Sequence, residues 1–198
     1  MSKRKQAGRM PPGDREKTAT RPEITATRPV PLSCGWASVV LSAGKVVSVE
    51  LERTEERLGR TIGKKFPGAG EVAAEKTGPG RILRDYSEGR ILSEKDIAAL
   101  PVDWDRISAF QLKVLRKTAA IPYGTTATYG KIAAEIGNPA AARAVGAALA
   151  RNPWPVLVPC HRVVGKDGSL VGFGKGIAAK EALLGFEERN MRRRRVAQ

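Results

Sequence analysis

Residues 152–164 read NPWPVLVPCHRVV, and the rest of the chain is organised around this stretch. It places His161, the only histidine of the chain, directly after Cys160, one of two cysteines. Prolines fix φ and remove backbone donors, so Pro153, Pro155 and Pro159 predict a rigid, irregular segment rather than a simple core strand. A stiff loop that presents a thiol indicates a candidate reactive site.

The adjacent pair Cys160 and His161 has a chemical and a structural interpretation. A thiol becomes a useful nucleophile when a neighbouring base or positive dipole favours the thiolate. Adjacent side chains of an extended chain point to opposite sides, so His161 would act on Cys160 through a bend or a bridging water. A free cysteine also commonly packs as a small buried hydrophobe. The three prolines favour the reactive interpretation.

The charge balance points to a polyanionic partner. The chain has 198 residues with 35 Lys and Arg against 20 Asp and Glu, a formal net charge of +15. This charge predicts binding to nucleic acid or to an acidic membrane surface, and by itself does not choose between them. No apolar run approaches the roughly 20 residues that span a bilayer, and the N-terminus lacks the apolar centre of a secretory signal. We therefore expect a soluble intracellular protein.

The cysteines and the histidine are too few for the common crosslinks and metal centres. An intracellular setting argues against a structural disulfide between Cys34 and Cys160. One histidine and two cysteines do not complete the ligand set of an ordinary structural zinc site. We expect neither a metal nor a cofactor.

The first half of the chain predicts a tail and a small domain. Residues 1–31 contain almost no large apolar side chains, which predicts a disordered basic arm. The β-prone runs 36–41 and 46–51 flank a short turn and predict a hairpin. Together with the elements that follow, this hairpin predicts an α+β domain over residues 32–100.

The elements after the hairpin are less strongly patterned. We expect a helix around residues 70–76 and a further strand over residues 81–86. Ser93 followed by Asp96 resembles a capping box in which Asp replaces the usual Glu or Gln, so a helix is expected to begin there.

The second half, residues 101–188, predicts a mostly helical domain. Apolar residues from Ile107 to Leu115 have helical spacing. Two short helices, 129–136 and 140–150, are joined by a glycine-containing turn and form a helix-turn-helix candidate. A last helix is expected over residues 177–188, followed by a basic tail at 189–198.

The second helix of that candidate has an unusual composition. Arg143 is the one long charged side chain among small residues between Ala140 and Ala150. Small residues let a helix approach another surface closely, and arginine offers a rigid fork that is always charged. Arg143 could therefore fill a space inside a duplex, or the alanines could simply pack on the neighbouring helix with Arg143 in solvent.

Several of these motifs together resemble one family, the O6-alkylguanine-DNA alkyltransferases. The resemblance rests on the sequence PCHRVV at 159–164, preceded by Asn152-Pro153 and by ARAVG at 142–146. It extends from Phe110 to Glu187, with further matches in order and spacing: IPYG at 121–124, TY at 128–129 and GNP at 137–139.

The resemblance implies a fold and an activity. The fold would be α+β, with a small RNase H-like N-terminal domain and a helical C-terminal domain that contains a winged helix-turn-helix. The activity would be direct, irreversible transfer of an alkyl group from O6-alkylguanine in double-stranded DNA to a cysteine, after flipping of the base and once per molecule. The protein would be a cytoplasmic, nucleoid-associated monomer, or nuclear in a eukaryote, without membrane contact.

The resemblance also implies roles for residues around the thiol. Cys160 would accept the alkyl group, and His161 would relay its proton through a water. Glu187 would orient the imidazole, and Asn152 would hold the turn together through backbone hydrogen bonds. Tyr129 would donate to the guanine or reposition its phosphate.

On the DNA side, Arg143 would occupy the place vacated by the flipped base. Small neighbours would permit close approach to the minor groove, namely Ala142, Ala144 and Gly146. The substrate pocket would be lined by Val163, Phe173, Gly174 and Lys175, with backbone carbonyls at Cys160 and Val163 reading the exocyclic amine. The family commonly has Tyr at the position of Phe173 and Gly at that of Lys175.

Three other functions fit parts of the sequence. A noncatalytic alkyltransferase-like protein would recognise the lesion without transfer, but such relatives replace the acceptor cysteine. A plain helix-turn-helix regulator would explain the charge and leave the Cys-His-Arg turn without a role. A cysteine hydrolase would need an oxyanion-hole segment, which nothing in the sequence resembles.

Overall fold

The computed structural model describes residues 23–92 and 94–197. Its first half contains a twisted sheet of five strands: β1 Ile24–Thr27, β2 Val30–Leu32, β3 Gly35–Ser42, β4 Lys45–Glu52 and β5 Gly70–Val72. The central strand β3 pairs antiparallel with β4 on one side and with β1 and β2 on the other, while β5 runs parallel to β1. The predicted hairpin is confirmed as β3 and β4.

The β3–β4 hairpin closes through a two-residue loop with unusual backbone angles. Ala43 and Gly44 both have positive φ, 48° and 75°. Two-residue loops of this kind match the right-handed twist of the flanking strands, and they need positive φ at both positions. The loop therefore fixes the register of the strands, in which Ser42 lies opposite Lys45.

Both faces of the sheet are covered, because β3 is buried nearly throughout. On one face, Ala26, Val40 and Val47 form a small apolar cluster. Ile62 of helix α1, Glu55–Lys65, and Phe66 at the end of that helix pack against it. Val39 faces the main core on the other side. A central strand buried on both faces reads as a continuous apolar run, as this one does.

Three predictions about the first half are wrong, for the arm, for residues 70–76 and for residues 81–86. The predicted disordered arm ends at residue 31, yet residues 24–32 contain β1 and β2. Their threonines and valines suit a pleated surface, and Ala26, Thr27 and Val30 are buried. Residues 1–22 of that arm lie outside the described residues. The region predicted as helix 70–76 forms β5 and then a 3-10 turn, Ala74–Lys76.

The segment predicted as a strand at residues 81–86 lies in helix α2, Gly78–Ser87. The Thr77 side chain caps this helix by accepting from the Gly80 N–H at 3.0 Å, and Pro79 stands in its first turn, where a missing N–H is harmless. Leu83 and Tyr86, three residues apart, are fully buried. The helical spacing of these two side chains decides against a strand.

The second half contains the predicted helices. These are α3 Glu94–Ala98, α4 Ala109–Ala119, α5 Tyr129–Glu135, α6 Ala142–Ala150 and α7 Ile177–Val196. Ser93, predicted to cap α3, lies outside the described residues. Helix α7 continues well past residue 188, so most of the predicted basic tail, 189–198, forms its last turns.

A two-residue parallel pairing brings the start of the helix pair to the cysteine turn. Strand β6, Ala127–Thr128, pairs with β7, Val163–Val164. Thr128 also caps α5 by accepting from the Lys131 N–H at 3.1 Å. Helix α5 therefore begins directly beside the stretch that follows Cys160.

One continuous core contains side chains from both sides of residue 100, including Val39, Leu83, Leu115, Trp154 and Leu183. The hairpin also bonds directly to the 152–164 stretch, because Trp154 Nε1 donates to the Val46 carbonyl at 3.1 Å. The Val49 N–H donates to the Pro153 carbonyl at 2.8 Å. The first half therefore supports the cysteine turn. The division at residue 100 stays a prediction.

Within residues 23–92 and 94–197, no helix is long and apolar enough to cross a membrane.

Candidate active site

The cysteine turn is an irregular, buried segment, as the prolines predict. Cys160 opens a 3-10 turn, Cys160–Arg162, and is only 5% exposed. Four residues earlier, Val156 has φ of 72°, which is strained for a β-branched side chain. Strain of this kind persists only where the surroundings enforce it, and Val156 is almost fully buried. The turn therefore holds the thiol in a fixed position.

Both polar atoms of the Asn152 side-chain amide, Nδ2 and Oδ1, form hydrogen bonds with this turn. Its Nδ2 donates to the Val158 carbonyl at 2.9 Å and to Cys160 Sγ at 3.1 Å, while its Oδ1 accepts from the Trp154 N–H at 3.0 Å. The structure thus brings Asn152 into direct contact with the sulfur, in addition to the backbone contacts that were expected. A donor aimed at Sγ stabilises the thiolate more than the thiol.

The Cys160 thiol is protonated at rest. Burial raises the pKa of this thiol, and the hydrogen bond from Asn152 and the positive charge of Lys180 lower it by less. The other cysteine, Cys34, is half-buried, and burial raises its pKa to about 11. Both thiols are free. Reaction at Cys160 therefore needs a base that takes the proton as the nucleophile forms.

His161 is placed to supply such a base. Its side chain and that of Glu187 are both fully buried, with Nε2 of His161 2.8 Å from Oε1 of Glu187. Burial lowers the pKa of His161, although the hydrogen bond and charge of Glu187 oppose this. A neutral imidazole beside a carboxylate carries its proton on Nε2, which leaves Nδ1 as the acceptor. Nδ1 is buried and has no hydrogen-bond partner among the described residues.

Glu187 receives four partners from different parts of the chain. Besides His161, it accepts from Arg162 Nη2 at 2.9 Å, from the Gly124 N–H at 2.9 Å and from the Tyr86 hydroxyl at 3.0 Å. Burial by itself raises the pKa of this carboxyl, but the bonds and charges of His161 and Arg162 lower it to about 2. Glu187 is therefore a fixed carboxylate that orients the imidazole.

Lys180 is a further functional candidate that sequence reasoning missed. This lysine of α7 is fully buried, and its Nζ donates to the backbone carbonyls of Val163 and Val171. Burial lowers the pKa of Lys180, and the negative charge of Cys160, once it is ionised, opposes that shift. Its spacing from Glu187, seven residues or two helical turns, places both side chains on the buried face of α7. That spacing was a signal the sequence carried.

The predicted pocket loop packs against Tyr129. The hydroxyl of Tyr129 lies 2.8 Å from the Val171 carbonyl and 3.1 Å from the Gly172 carbonyl. Phe173 is half-buried against the core, and a side chain at Gly174 would meet the Ala150 carbonyl at 3.1 Å. The loop therefore lies between the helix pair and the cysteine turn.

Lys175 lies on the side of this loop that faces the sheet. It lines a cavity of about 360 Å³ together with Cys34, Leu51 and Arg53, which belong to the first half of the chain. Gly174 lines the same cavity, so the structure places both Gly174 and Lys175 beside the sheet. Phe173 packs against the main core, and Val163 directly follows the cysteine turn.

Helix α6 presents its small residues and its arginine to the outside. Val145, Ala148 and Leu149 face the core, whereas Arg143 and Ala144 are exposed and Ala142 is half-buried. Gly146 faces the Tyr129 ring, which a side chain there would meet at 3.6 Å. Arg143 has no hydrogen bond or ion pair within the described ranges, so its guanidinium is free to contact a ligand.

Helix α6 is fixed at its C-terminal end by a side chain that sequence reasoning missed. Gln111 of α4 donates through Nε2 to the carbonyls of Ala148 and Arg151, at 3.2 and 3.0 Å. The last carbonyls of a helix lack regular helical partners, and besides Gln111 the Ala148 carbonyl accepts only from the Arg151 N–H, at 3.2 Å, among the described residues. The orientation of the exposed face of α6 is therefore determined by packing on α4.

In the part of the chain that the structure describes, no group of three His, Cys, Asp or Glu side chains could hold a metal ion. The chemistry of the site is that of a buried thiol, a neutral imidazole and a fixed carboxylate. This set can form a nucleophilic thiolate and move one proton.

Comparisons with known proteins find one family whose members are similar to this chain in sequence and in structure. Residues 109–189 match the family model described as 6-O-methylguanine DNA methyltransferase, DNA binding domain. A methylated-DNA–protein-cysteine methyltransferase of Mycobacterium tuberculosis is 53% identical over 139 residues, 70% of this chain and 76% of that protein. An inducible one of Bacillus subtilis is 41% identical over 136 residues, 68% and 73% of the two chains.

Solved structures are similar over more of the chain. The crystal structure of the M. tuberculosis O6-methylguanine methyltransferase covers 84% of this chain and 94% of its own, with a TM-score of 0.66 and 32% identity. A crystal structure of M. tuberculosis OGT in complex with DNA covers the same shares at 30% identity and a TM-score of 0.66. The chain belongs to the methylated-DNA–protein-cysteine methyltransferase family.

Proposed function

We propose that this protein repairs DNA by moving an alkyl group, in the simplest case methyl, from O6 of guanine directly and irreversibly to Cys160. The observation that carries the proposal is the buried thiol of Cys160 beside the hydrogen-bonded pair of His161 and Glu187. A single-use acceptor needs a nucleophile and a proton route, and this site contains both.

The transfer balances with one proton. His161 Nδ1 takes the thiol proton of Cys160 through a bridging water, and the thiolate attacks the alkyl carbon. A carbon–sulfur bond forms as the bond between the alkyl carbon and O6 breaks, and the electron pair of that bond stays with the guanine. The anionic guanine takes up one proton at a ring nitrogen from water, which restores a normal base, and the His161 imidazolium returns the thiol proton to water, so that the net change is one proton moved from the thiol to the guanine. The thioether left on Cys160 has no route back to a thiol.

The residues around the thiol divide the supporting roles. Asn152 stabilises the forming thiolate, and Glu187 holds His161 in the tautomer that accepts at Nδ1. Tyr129, whose hydroxyl lies 2.8 Å from the Val171 carbonyl, would donate to the guanine or to its phosphate. The carbonyls of Cys160 and Val163 would read the exocyclic amine of the base, and the Val163 carbonyl already accepts from Lys180.

The DNA would be bound by the α5–α6 pair as a winged helix-turn-helix. The lesion is reached by flipping the base, which costs a few kcal/mol of stacking and pairing. Arg143 would fill the vacated place, and Ala142, Ala144 and Gly146 would let the α6 backbone approach the groove. Phe173 would form the outer wall of the pocket, whereas Gly174 and Lys175, which were expected there, line the cavity beside Cys34. The first half would act as an RNase H-like support, and the protein would work in the cytoplasm as a monomer.

A methyl-transfer assay tests the proposal. Incubation with duplex DNA that contains O6-methylguanine should add one methyl group, seen by mass spectrometry on the peptide that contains Cys160. The peptide with Cys34 is an internal control and should stay unmodified, because Cys34 has neither the Asn152 donor nor the adjacent His161–Glu187 pair that Cys160 has. The Cys160→Ala variant should show no transfer. Lesion binding by the intact protein without any transfer would instead identify a noncatalytic lesion-binding protein.

A further inference from the structure

Tyr86 connects the first half of the chain to the candidate active site. It lies in the last turn of α2, 101 residues before Glu187, and its hydroxyl donates to Oε1 of Glu187 at 3.0 Å. The ring is fully buried. It packs edge-on against His161, with ring centroids 6.4 Å apart. The contact therefore joins an element outside the cysteine turn to the carboxylate that orients the imidazole.

We propose that Tyr86 is a positioning residue for the alkyl transfer, which keeps His161 neutral with Nδ1 free to accept the proton of Cys160. Among the described residues the Tyr86 hydroxyl bonds to Glu187 and not to Cys160, so this hydroxyl acts on His161 through Glu187, while the ring supports the imidazole by its edge-on contact. The inference rests on the proposed function, since it assigns His161 the part of the base.

Three side-chain donors meet at one oxygen of Glu187. Oε1 of Glu187 lies 2.8 Å from His161 Nε2, 2.9 Å from Arg162 Nη2 and 3.0 Å from the Tyr86 hydroxyl. Donors on one carboxylate oxygen share its negative charge, so each weakens the attraction that the others feel. Loss of the tyrosine donor leaves more of that charge facing His161, which favours the imidazolium.

The hydroxyl of Tyr86 serves as a permanent donor. Burial raises its pKa well above the usual value, and the neighbouring Glu187 carboxylate raises it further. It stays protonated across the physiological range and adds no formal charge to the site. The phenol can therefore moderate the Glu187 charge without introducing a second ion, unlike Arg162.

Other charged and titratable groups also face the imidazole, and they define what Tyr86 adds. Arg162, beside His161 in the turn, and Lys180, from α7, are cations that lower the pKa of His161. Tyr123, from the turn before β6, packs against Tyr86 at 5.9 Å but bonds through its hydroxyl to Asn190. Among Arg162, Lys180, Tyr123, Tyr86 and Cys160, only Tyr86 and Arg162 donate a side-chain hydrogen bond to Glu187. Of these two donors, only Tyr86 can be removed without a change in charge.

The single histidine of the chain allows a direct test. Nitrogen NMR of the imidazole, recorded against pH, reports the tautomer and the pKa of His161 without competing signals. The Tyr86→Phe variant keeps the ring and removes the donor. We expect its imidazole pKa to rise by about half a unit to one unit, the equivalent of one modest hydrogen bond. Tyr123→Phe, which removes the neighbouring hydroxyl without touching Glu187, should leave the titration unchanged.

A second measurement reads the reaction itself. The acidic limb of the pH profile for single-turnover methyl transfer should move upward in Tyr86→Phe by the same amount as the imidazole pKa. A merely structural role would lower stability without moving this limb. An unchanged His161 titration in Tyr86→Phe would overturn the inference, even if methyl transfer proceeds normally. A shifted titration in a protein that transfers no methyl would overturn the proposed function and leave the Tyr86–His161 coupling intact.

A strengthened donor keeps the inference testable if Tyr86→Phe does not fold. Site-specific 3-fluorotyrosine at position 86 is a more acidic phenol of nearly the same size. It should draw more charge from Glu187 and lower the His161 pKa, opposite in sign to the Phe variant. A rise or no shift would contradict the inference.

Discussion

Arg162 and Glu187 form a bidentate ion pair that is buried on both sides. Nη2 of Arg162 lies 2.9 Å from Oε1 and Nε lies 3.0 Å from Oε2, with side-chain exposures of 1% and 0%. The same guanidinium donates to the Ile121 carbonyl at 2.7 Å and stacks over the Tyr123 ring at 5.3 Å. Arg162 therefore fastens the cysteine turn to α7 and to the turn before β6.

Removal of this arginine should strongly destabilise the protein. Arg162→Met keeps much of the volume but leaves Glu187 buried with less compensation, which costs about 3–5 kcal/mol for a broken buried pair. The exposed pair Arg192 and Glu188, at 2.6 Å, is the matched control. Arg192→Met should change the free energy of unfolding by less than about 1 kcal/mol. Urea unfolding of the two variants measures both, and equal losses would contradict the buried-pair account.

Acid should destabilise the protein through two buried groups. The pKa of Glu187 is lowered from 4.5 to about 2, and that of His161 is lowered from 6.5 by burial. In both cases the unfolded chain binds protons at higher pH than the folded protein does. The stability from His161 is therefore present above pH 6.5 and lost as pH falls below it. That from Glu187 is lost as pH falls from 4.5 towards 2.

Denaturant unfolding measured between pH 7 and pH 3 checks this dependence. The free energy of unfolding should fall in two stages, first with the protonation of His161 and then with that of Glu187. Glu187→Gln should be less stable at pH 7 and should lose the lower stage. A wild-type stability that stays constant between pH 7 and pH 3 would show that neither group is coupled to folding.

The sequence predicted the site best where its contacts are local. Asn152, Cys160 and His161 lie within ten residues, and the prolines between them indicate an irregular turn without reference to the rest of the fold. Glu187 lies 26 residues beyond His161 and was reached only through the family resemblance. No local pattern identifies a partner that is brought in by the packing of a separate helix.

The contact between Tyr86 and Glu187 is the clearest example of a feature that the sequence did not predict. The six residues that end at Tyr86 read RILRDY, with three apolar or aromatic side chains among three charged ones. So short a pattern does not distinguish a strand from a helix. The Thr77 cap and the burial of Leu83 decide for α2. Once the helix is known, the contact with Glu187 still depends on how α2 packs against α7. That packing is a property of the whole core.

Lys180 should tune the reactivity of the thiol. Its positive charge lowers the pKa of Cys160 and offsets part of the effect of burial. In a Cys34→Ser background, where only Cys160 can react, Lys180→Met should shift the pH dependence of iodoacetamide alkylation to higher pH. Lys175→Met is the matched control, because Lys175 lies in the cavity beside Cys34 and Arg53. Equal shifts in the two variants would assign the effect to net charge rather than to Lys180.

Asn152 should contribute to the rate of transfer through the sulfur. Its Nδ2 donates to Cys160 Sγ at 3.1 Å, and a hydrogen bond to a charged group is worth about 1.5–3 kcal/mol. Asn152→Ala should therefore slow single-turnover methyl transfer by about tenfold to a hundredfold, with little change in DNA affinity. Binding and transfer measured on the same lesion duplex separate these effects. A loss confined to affinity would place Asn152 on the DNA side of the mechanism.

Arg143 should matter only when the target base must be extruded from a duplex. Its guanidinium is exposed on α6 and unpaired among the described residues, so removing it leaves the fold unchanged. Base extrusion costs a few kcal/mol, and loss of the side chain that fills the gap should slow methyl transfer from duplex DNA by about tenfold or more. Transfer from the free base O6-methylguanine needs no extrusion and should be unaffected. Arg151→Ala is the matched control, because Arg151 is also exposed and lies just beyond the same helix. It should slow each reaction by less than Arg143→Ala slows the duplex reaction. Equal slowing of the duplex and free-base reactions by Arg143→Ala would mean that Arg143 acts on the pocket and not on the stack.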